Sequence, residues 1–244
     1  MMLNQAAMSK VSNHRVACVT GGAKRIGRAL VLALHQANYN IIIHYHTSES
    51  EAMELVDYCN AVRPQSAKSV QGDLENFETL PQLTWRIINS FGRLDCLVHN
   101  ASRFYPTPFG QISQQDWQNL FLTNAQTPLF ISQYLYPYLK KSQGCIISIL
   151  DIHANGKPFG GYTVYNMAKA AHQMMVQSLA IELAPDIRVN GIAPGINILP
   201  MEGTEQALTA ETIEKICHAV PLKRIGTPQD IAQVAVFLAA APYI

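Results

Sequence analysis

Arg15-Val16-Ala17-Cys18-Val19-Thr20-Gly21-Gly22-Ala23-Lys24-Arg25-Ile26-Gly27 passes from an unbroken apolar run directly into a glycine-rich turn. A run from Arg15 to Thr20 without polar alternation reads as a strand covered on both faces, and helical spacing takes over from about Arg25 to Ala37. Glycines Gly21 and Gly27 at such a turn let the backbone approach a diphosphate, which the helix N-terminus attracts through its free N–H groups and dipole. The plain alternative is an ordinary glycine-rich connection. A strict GxGxxG is absent, because Arg25 stands where a glycine is expected and adds a fixed cation.

Working outward, apolar strands alternate with helical patterns. Asn40 to His46 is followed by a helix from Glu49 to Val62, then Ala67 to Gln71 and a helix through Trp85. Leu94 to His99 precedes a helical region from Ser113 to Lys140; Cys145 to Leu150 and Ile187 to Ile192 flank the helix that carries Tyr165. Strands this rich in Ile and Val need helices on both faces, so the fold class is α/β with a doubly wound parallel sheet in a single domain over residues 1–244. No internal repeat, linker or low-complexity tract interrupts it. Ligands of such sheets bind beyond the carboxyl ends of the strands, where the candidate residues should stand.

Composition removes several function classes. The 244 residues are 48% hydrophobic and only 14% charged, with a formal net charge of +1, which offers no surface for nucleic acid or an anionic membrane. The longest apolar runs are too short to span a bilayer, and Asn4, Gln5 and Ser9 interrupt any secretory h-region. The five cysteines at 18, 59, 96, 145 and 217 show no paired or metal-ligand spacing and read as core residues in a reducing, cytoplasmic setting. No metal site is expected.

Tyr165 and Lys169 lie four apart on a predicted helix, one turn, so both project from one face. A lysine cation beside a phenol favours the phenolate and brings its pKa toward the working range, a pair suited to handling a proton. A surface coincidence is the alternative reading. At the second strand's end, His44-Tyr45-His46-Thr47-Ser48 carries no carboxylate to bind a ribose diol, which favours NADP, although His44 reads as a partly exposed neutral residue. Asp73, in Gly72-Asp73-Leu74, can accept from an adenine amino group or cap the next helix. Asn100-Ala101-Ser102 closes the fourth strand.

With these pieces in register the chain resembles the short-chain dehydrogenase/reductase family over nearly its whole length. The resemblance rests on TGGAKRIG at 20–27, GDL at 72–74, HNAS at 99–102, Asn124, YNMAK at 165–169 and RVNGIAPG at 188–195, which includes Pro194 and Gly195. Within it the chain is similar to pteridine reductases: Arg25 in the first motif, HYH at 44–46, HNASRFYPTP at 99–108, and Asp151 where most members have serine. Thr47 departs from the arginine that holds the 2′-phosphate in some of these enzymes, and one extra residue lies between Asp151 and Tyr165. Members usually continue through a last strand and a VDGG segment beyond the point where this sequence ends at Ala241-Pro242-Tyr243-Ile244, so a truncated or incomplete chain lacking that strand is expected.

The resemblance implies a Rossmann fold, NADPH as cofactor, a homotetramer, and reduction of a pterin: a dihydrobiopterin, dihydromonapterin or dihydrofolate type of substrate. It implies a proton from Tyr165, Lys169 on the nicotinamide ribose, Asn124 anchoring a water chain, and cofactor contacts from Gly21, Arg25, Ile26, Gly27, His46, Thr47, Ser48, Asp73, Leu74, Asn100, Ala101, Ser102, Tyr165, Lys169, Pro194 and Gly195. Because pterin ring nitrogens need protons, Asp151 can join a relay with Tyr165, or else brace the following loop. Phe104 can stack a flat ring or fold onto the core, and Arg25 with Ser102 can bond ring polar groups and phosphates. Residues 196–220, with Pro200, Met201, Glu202 and Gly203, are expected to cover the substrate as a mobile lid. Competing readings are a 3-oxoacyl thioester or ketone reductase, and an NADP-binding sensor or scaffold without turnover.

Overall fold

Val16–Val19 (β1), Asn40–Tyr45 (β2), Cys96–His99 (β4) and Cys145–Ile149 (β5) are buried at every position, as strands without polar alternation must be when both sheet faces are covered. With Ala67–Gln71 (β3) and Arg188–Ile192 (β6) they form one six-stranded sheet of order β3-β2-β1-β4-β5-β6, every neighbouring pair parallel. This is a computed structural model, and it describes residues 13–197 and 209–244. Asn4, Gln5, Ser9, Pro200, Met201, Glu202 and Gly203, on which the leader and lid expectations partly rest, lie outside the described residues.

Helices cover both faces. Arg25–Gln36 (α1), Glu49–Val62 (α2) and Pro228–Ala240 (α8) bury Leu30, Leu34, Leu55, Ile231 and Leu238 against one side. Leu80–Phe91 (α3), Thr127–Ser142 (α5) and Thr163–Glu182 (α6) bury Leu83, Ile87, Ile131, Leu135 and Val176 against the other. The doubly wound α/β class is therefore as expected, and the winding reverses between β1 and β4, which opens a crevice at the carboxyl ends of the strands. Gln114–Phe121 (α4) begins with a reciprocal capping box between Ser113 and Asp116. Ala210–Ala219 (α7) starts at Thr209, whose side chain accepts from the Thr212 N–H. Cys18, Cys59, Cys96 and Cys145 are buried free thiols, and among the described residues no helix is long and apolar enough to cross a membrane.

Two expectations need correction and a third is refined. The third helix does not stop at Trp85 but runs to Phe91, ended by Gly92 at φ 73° in the left-handed region that a Cβ disfavours. The helical region expected at 113–140 runs without a break from Gln114 to Ser142, but not as one regular helix: Leu122–Gln126 is a π-turn between α4 and α5. His44 is fully buried rather than partly exposed, with Nδ1 accepting from the Gly21 N–H at 3.2 Å and Nε2 3.1 Å from the Gly72 carbonyl. Burial pushes its pKa down to about 4, so it is neutral and staples the first turn to the third strand's end.

Candidate active site

The crevice is a cleft of about 800 Å³, lined by every expected site residue except Asn124. On one side lies the glycine turn. Any Cβ on Gly27 would sit 2.2 Å from the Gly21 carbonyl and 2.8 Å from the Asn100 amide, so this close packing admits only glycine. Asn100 Nδ2 donates to the Thr20 and Gly21 carbonyls at 2.9 and 3.0 Å, and the Thr20 hydroxyl accepts from the N–H groups of Asn100 and Ala101. The turn is thus held open from behind.

At that turn α1 begins without a side-chain cap and without an acid in its first turn. Free N–H groups facing a cleft of this size suit a phosphate-bearing ligand, and the residues present fit a nicotinamide dinucleotide. Arg25 opens α1 with φ 52°, a left-handed conformation that costs a side-chain-bearing residue about 1–2 kcal/mol. Farther along, His46 Nε2 stands 3.9 Å from Asp73 Oδ2, and Thr47 and Ser48 line the wall. Asp73 Oδ1 accepts from the Glu75 N–H at 2.9 Å, a local turn bond in place of the expected helix cap.

On the other side, at the carboxyl end of β5, Asp151 meets two partners. Its Oδ1 accepts from the His153 N–H at 2.9 Å, and its Oδ2 accepts from the Tyr165 hydroxyl at 2.7 Å. Asp151 therefore both braces the following loop and bonds the Tyr165 hydroxyl, and the extra residue before Tyr165 does not separate the pair. The phenol expectation is corrected. Burial, then the Asp151 charge and hydrogen bond, push the Tyr165 pKa up, while Lys169 Nζ donates to the Ile149 carbonyl at 2.9 Å and lies 5.9 Å from the phenol ring centre. Tyr165 is held protonated. Lys169 is itself buried, which lowers its pKa to about 8 and keeps it mostly cationic at neutral pH.

Asn124 sits behind the cleft in the π-turn, a feature that inserts where helices meet functional sites. Its Nδ2 donates to the carbonyls of Arg103 and Leu120 at 2.9 and 3.0 Å, and its Oδ1 accepts from the Ser102 hydroxyl at 2.6 Å. Its side chain thus clamps the segment that carries Phe104. That ring is 54% exposed, stacked on Tyr162 at 4.5 Å and 13°, and edge-on to Tyr165 at 4.8 Å. Sequence reasoning missed Phe159, which packs on Tyr162 at 4.6 Å, and His153 beside it at 5.1 Å. It also missed Glu75, which pairs with Arg103 and accepts from Thr123 at 3.1 Å, and Lys24, paired with Glu51 at 2.5 Å. The glycine turn before Lys24 was the available signal for that residue; the others follow from contacts distant in sequence. Pro194 and Gly195, with Ile196, Asn197 and Ile216 of the 196–220 segment, line the cleft on its remaining side.

A glycine-rich turn, a strand-order reversal and a Tyr-Lys pair facing one cleft are the arrangement of a Rossmann-type oxidoreductase. A family profile described as enoyl-(acyl carrier protein) reductase matches residues 21–243, and the chain belongs to the short-chain dehydrogenase/reductase family. It is 34% identical to pteridine reductase 1 of Leishmania tarentolae, over 94% of this chain and 92% of that one. It is 32% identical to an uncharacterized oxidoreductase of Mycobacterium tuberculosis, over 93% and 86% of the two chains. A hydroxynaphthalene reductase-like protein of Metarhizium acridum is 28% identical, over 92% and 88%.

Proposed function

We propose that this chain is an NADPH-dependent pteridine reductase acting on a dihydropterin, dihydrofolate being a further candidate. The observation that carries the reading is the 2.7 Å bond from the Tyr165 hydroxyl to Asp151 Oδ2 on the cleft floor. In ketone reduction negative charge grows on oxygen beside the donor phenol, and an adjacent carboxylate opposes it. A pterin presents ring N–H groups instead, which a carboxylate accepts, and a ring nitrogen that needs a proton. The bound nicotinamide would supply hydride to the carbon of the C=N bond. Tyr165 gives its proton to the nitrogen, so one C–H and one N–H bond form as the π bond is lost.

The other residues bind and orient. The free N–H groups of α1, with Arg25, hold the diphosphate, while His46, Thr47 and Ser48 take the 2′-phosphate and Asp73 the adenine amino group. Lys169, cationic below about pH 8, reaches the nicotinamide ribose. Phe104 offers its outer face to the pterin ring, with Ser102 and Arg25 at its polar edge. Asn124 sets Ser102 and, by its backbone carbonyl, serves the lysine end of the site. The assembled Tyr165–Asp151 pair speaks against a sensor or scaffold without turnover. Exposed Leu129, Tyr138, Met174 and Ile181 on α5 and α6 form apolar surface fit for a homotetramer, for which light scattering should return a tetramer rather than a monomer.

Tyr165→Phe tests the proton donor. Dihydropterin reduction should fall at least about 100-fold while NADPH affinity, read by fluorescence titration, changes less than about threefold. Near wild-type turnover in that variant would remove Tyr165 from the proposed role.

A further inference from the structure

Behind Lys169 lies a buried cluster to which the reaction assigns no part. His172 follows Lys169 by three residues on α6, so the two side chains share a face. The histidine is 2% exposed, and its Nε2 lies 3.0 Å from the Ser148 hydroxyl on β5. Lys169 Nζ donates to the carbonyl of Ile149, the next residue along that strand. Two side chains one turn apart on α6 therefore grip two successive residues of β5, just before Asp151.

The second ring nitrogen, Nδ1, is buried and makes no hydrogen bond of regular geometry, and the acceptor beside the ring is the Asn124 backbone carbonyl in the π-turn. Across the sheet His99, register partner of Ser148, stands with its ring centre 6.1 Å away, its Nε2 2.8 Å from the Ser132 hydroxyl, which donates to the Pro128 carbonyl. Burial first, then His99 and Lys169, hold His172 neutral, and burial holds His99 down to about 3. A neutral imidazole carries one proton, and its neighbours decide where. With the proton on Nε2, Nδ1 would face carbonyl lone pairs with nothing between them, a buried repulsion. With the proton on Nδ1, the ring donates toward Asn124 and accepts from Ser148.

We infer that His172 is a positioning residue, a neutral Nδ1–H imidazole that ties α6, the π-turn and β5 together and sets the Lys169–Asn124 end of the site. It joins the three elements that carry Tyr165 and Lys169, Asn124, and Asp151. The inference rests on Tyr165 and Lys169 being the proton-handling pair, but its direct readout does not need turnover.

That readout is the long-range ¹H–¹⁵N spectrum of the full chain with labelled histidine. Among the groups facing His172 (Lys169, His99, Ser148 and the Asn124 carbonyl), none favours a second proton enough to offset burial. The His172 signal, assigned with His172→Asn, should show the Nδ1–H tautomer without change from about pH 8 to about pH 5.5. An Nε2–H tautomer, or titration within that range, would overturn the inference. In turnover, His172→Leu should lower kcat about tenfold with KM within about twofold, while His172→Asn, which restores a donor near Nδ1, should return to within about threefold of wild type. Equal losses in the two variants, or full kcat in the leucine variant, would reduce His172 to packing. If the leucine variant does not accumulate, Ser148→Ala serves: the Nδ1–H tautomer should persist, because the Asn124 carbonyl still faces Nδ1, and a shift to the Nε2–H tautomer would overturn the inference. Absence of wild-type turnover on every pterin would defeat the functional reading while the spectrum still decides this one.

Discussion

Arg25 and Asp151 each depart from the residue type their motif usually carries, and Arg25 does so at a cost in stability. Arg25 holds φ 52° at the mouth of the phosphate cradle, a conformation that glycine adopts freely. Arg25→Gly should remove about 1–2 kcal/mol of strain and add about 0.5–1 kcal/mol of unfolded-chain entropy cost, leaving a small net stabilisation. Urea unfolding should show that gain, and NADPH titration should show binding weakened about tenfold, as the loss of a charged hydrogen-bonding group requires. Tighter binding in the glycine variant would remove Arg25 from the cofactor site. Both residues were legible in the sequence because they stand where a motif puts a different type. The protonation of Tyr165 was not, since the burial and the Asp151 bond that raise its pKa arise from strand and helix ends fourteen positions apart.

At the scale of elements, the strands were legible to within two residues because parallel strands leave long apolar runs. The π-turn was not, because one inserted residue per turn leaves helical periodicity almost intact. Its importance lies in Asn124, whose amide joins α4, the Ser102 segment and Arg103. Asn124→Ala removes three hydrogen bonds and should cost about 1–3 kcal/mol of stability, read from the denaturation midpoint. It should also raise the KM for the pterin, since Phe104 follows the released Arg103. A variant with an unchanged midpoint and KM would show that the segment is held without Asn124.

In the whole molecule, His44, His99 and His172 are buried neutral, with pKa values of about 4, about 3 and well below the usual value. Each folded-state pKa lies below the unfolded one, so the unfolded chain binds more protons as pH falls through about 6.5. The contribution of these rings to stability should be flat above that pH and fall below it, toward pH 4, by up to about 1.4 kcal/mol per pH unit for each histidine. Urea midpoints that stay constant from about pH 7 to pH 5 would contradict the burial of these rings. The architecture that buries them was legible as a class, whereas their pairing was not, because alternation of strand and helix does not reveal which polar side chains meet beneath the sheet. The pterin assignment faces its most direct test in NADPH oxidation with a dihydropterin, dihydrofolate and an acetoacetyl thioester side by side, in wild type and in Asp151→Ser. The dihydropterin should exceed the thioester in kcat/KM by at least about tenfold in wild type, and Asp151→Ser should lose that preference. Turnover of the thioester alone, or equal pterin activity in the serine variant, would contradict it.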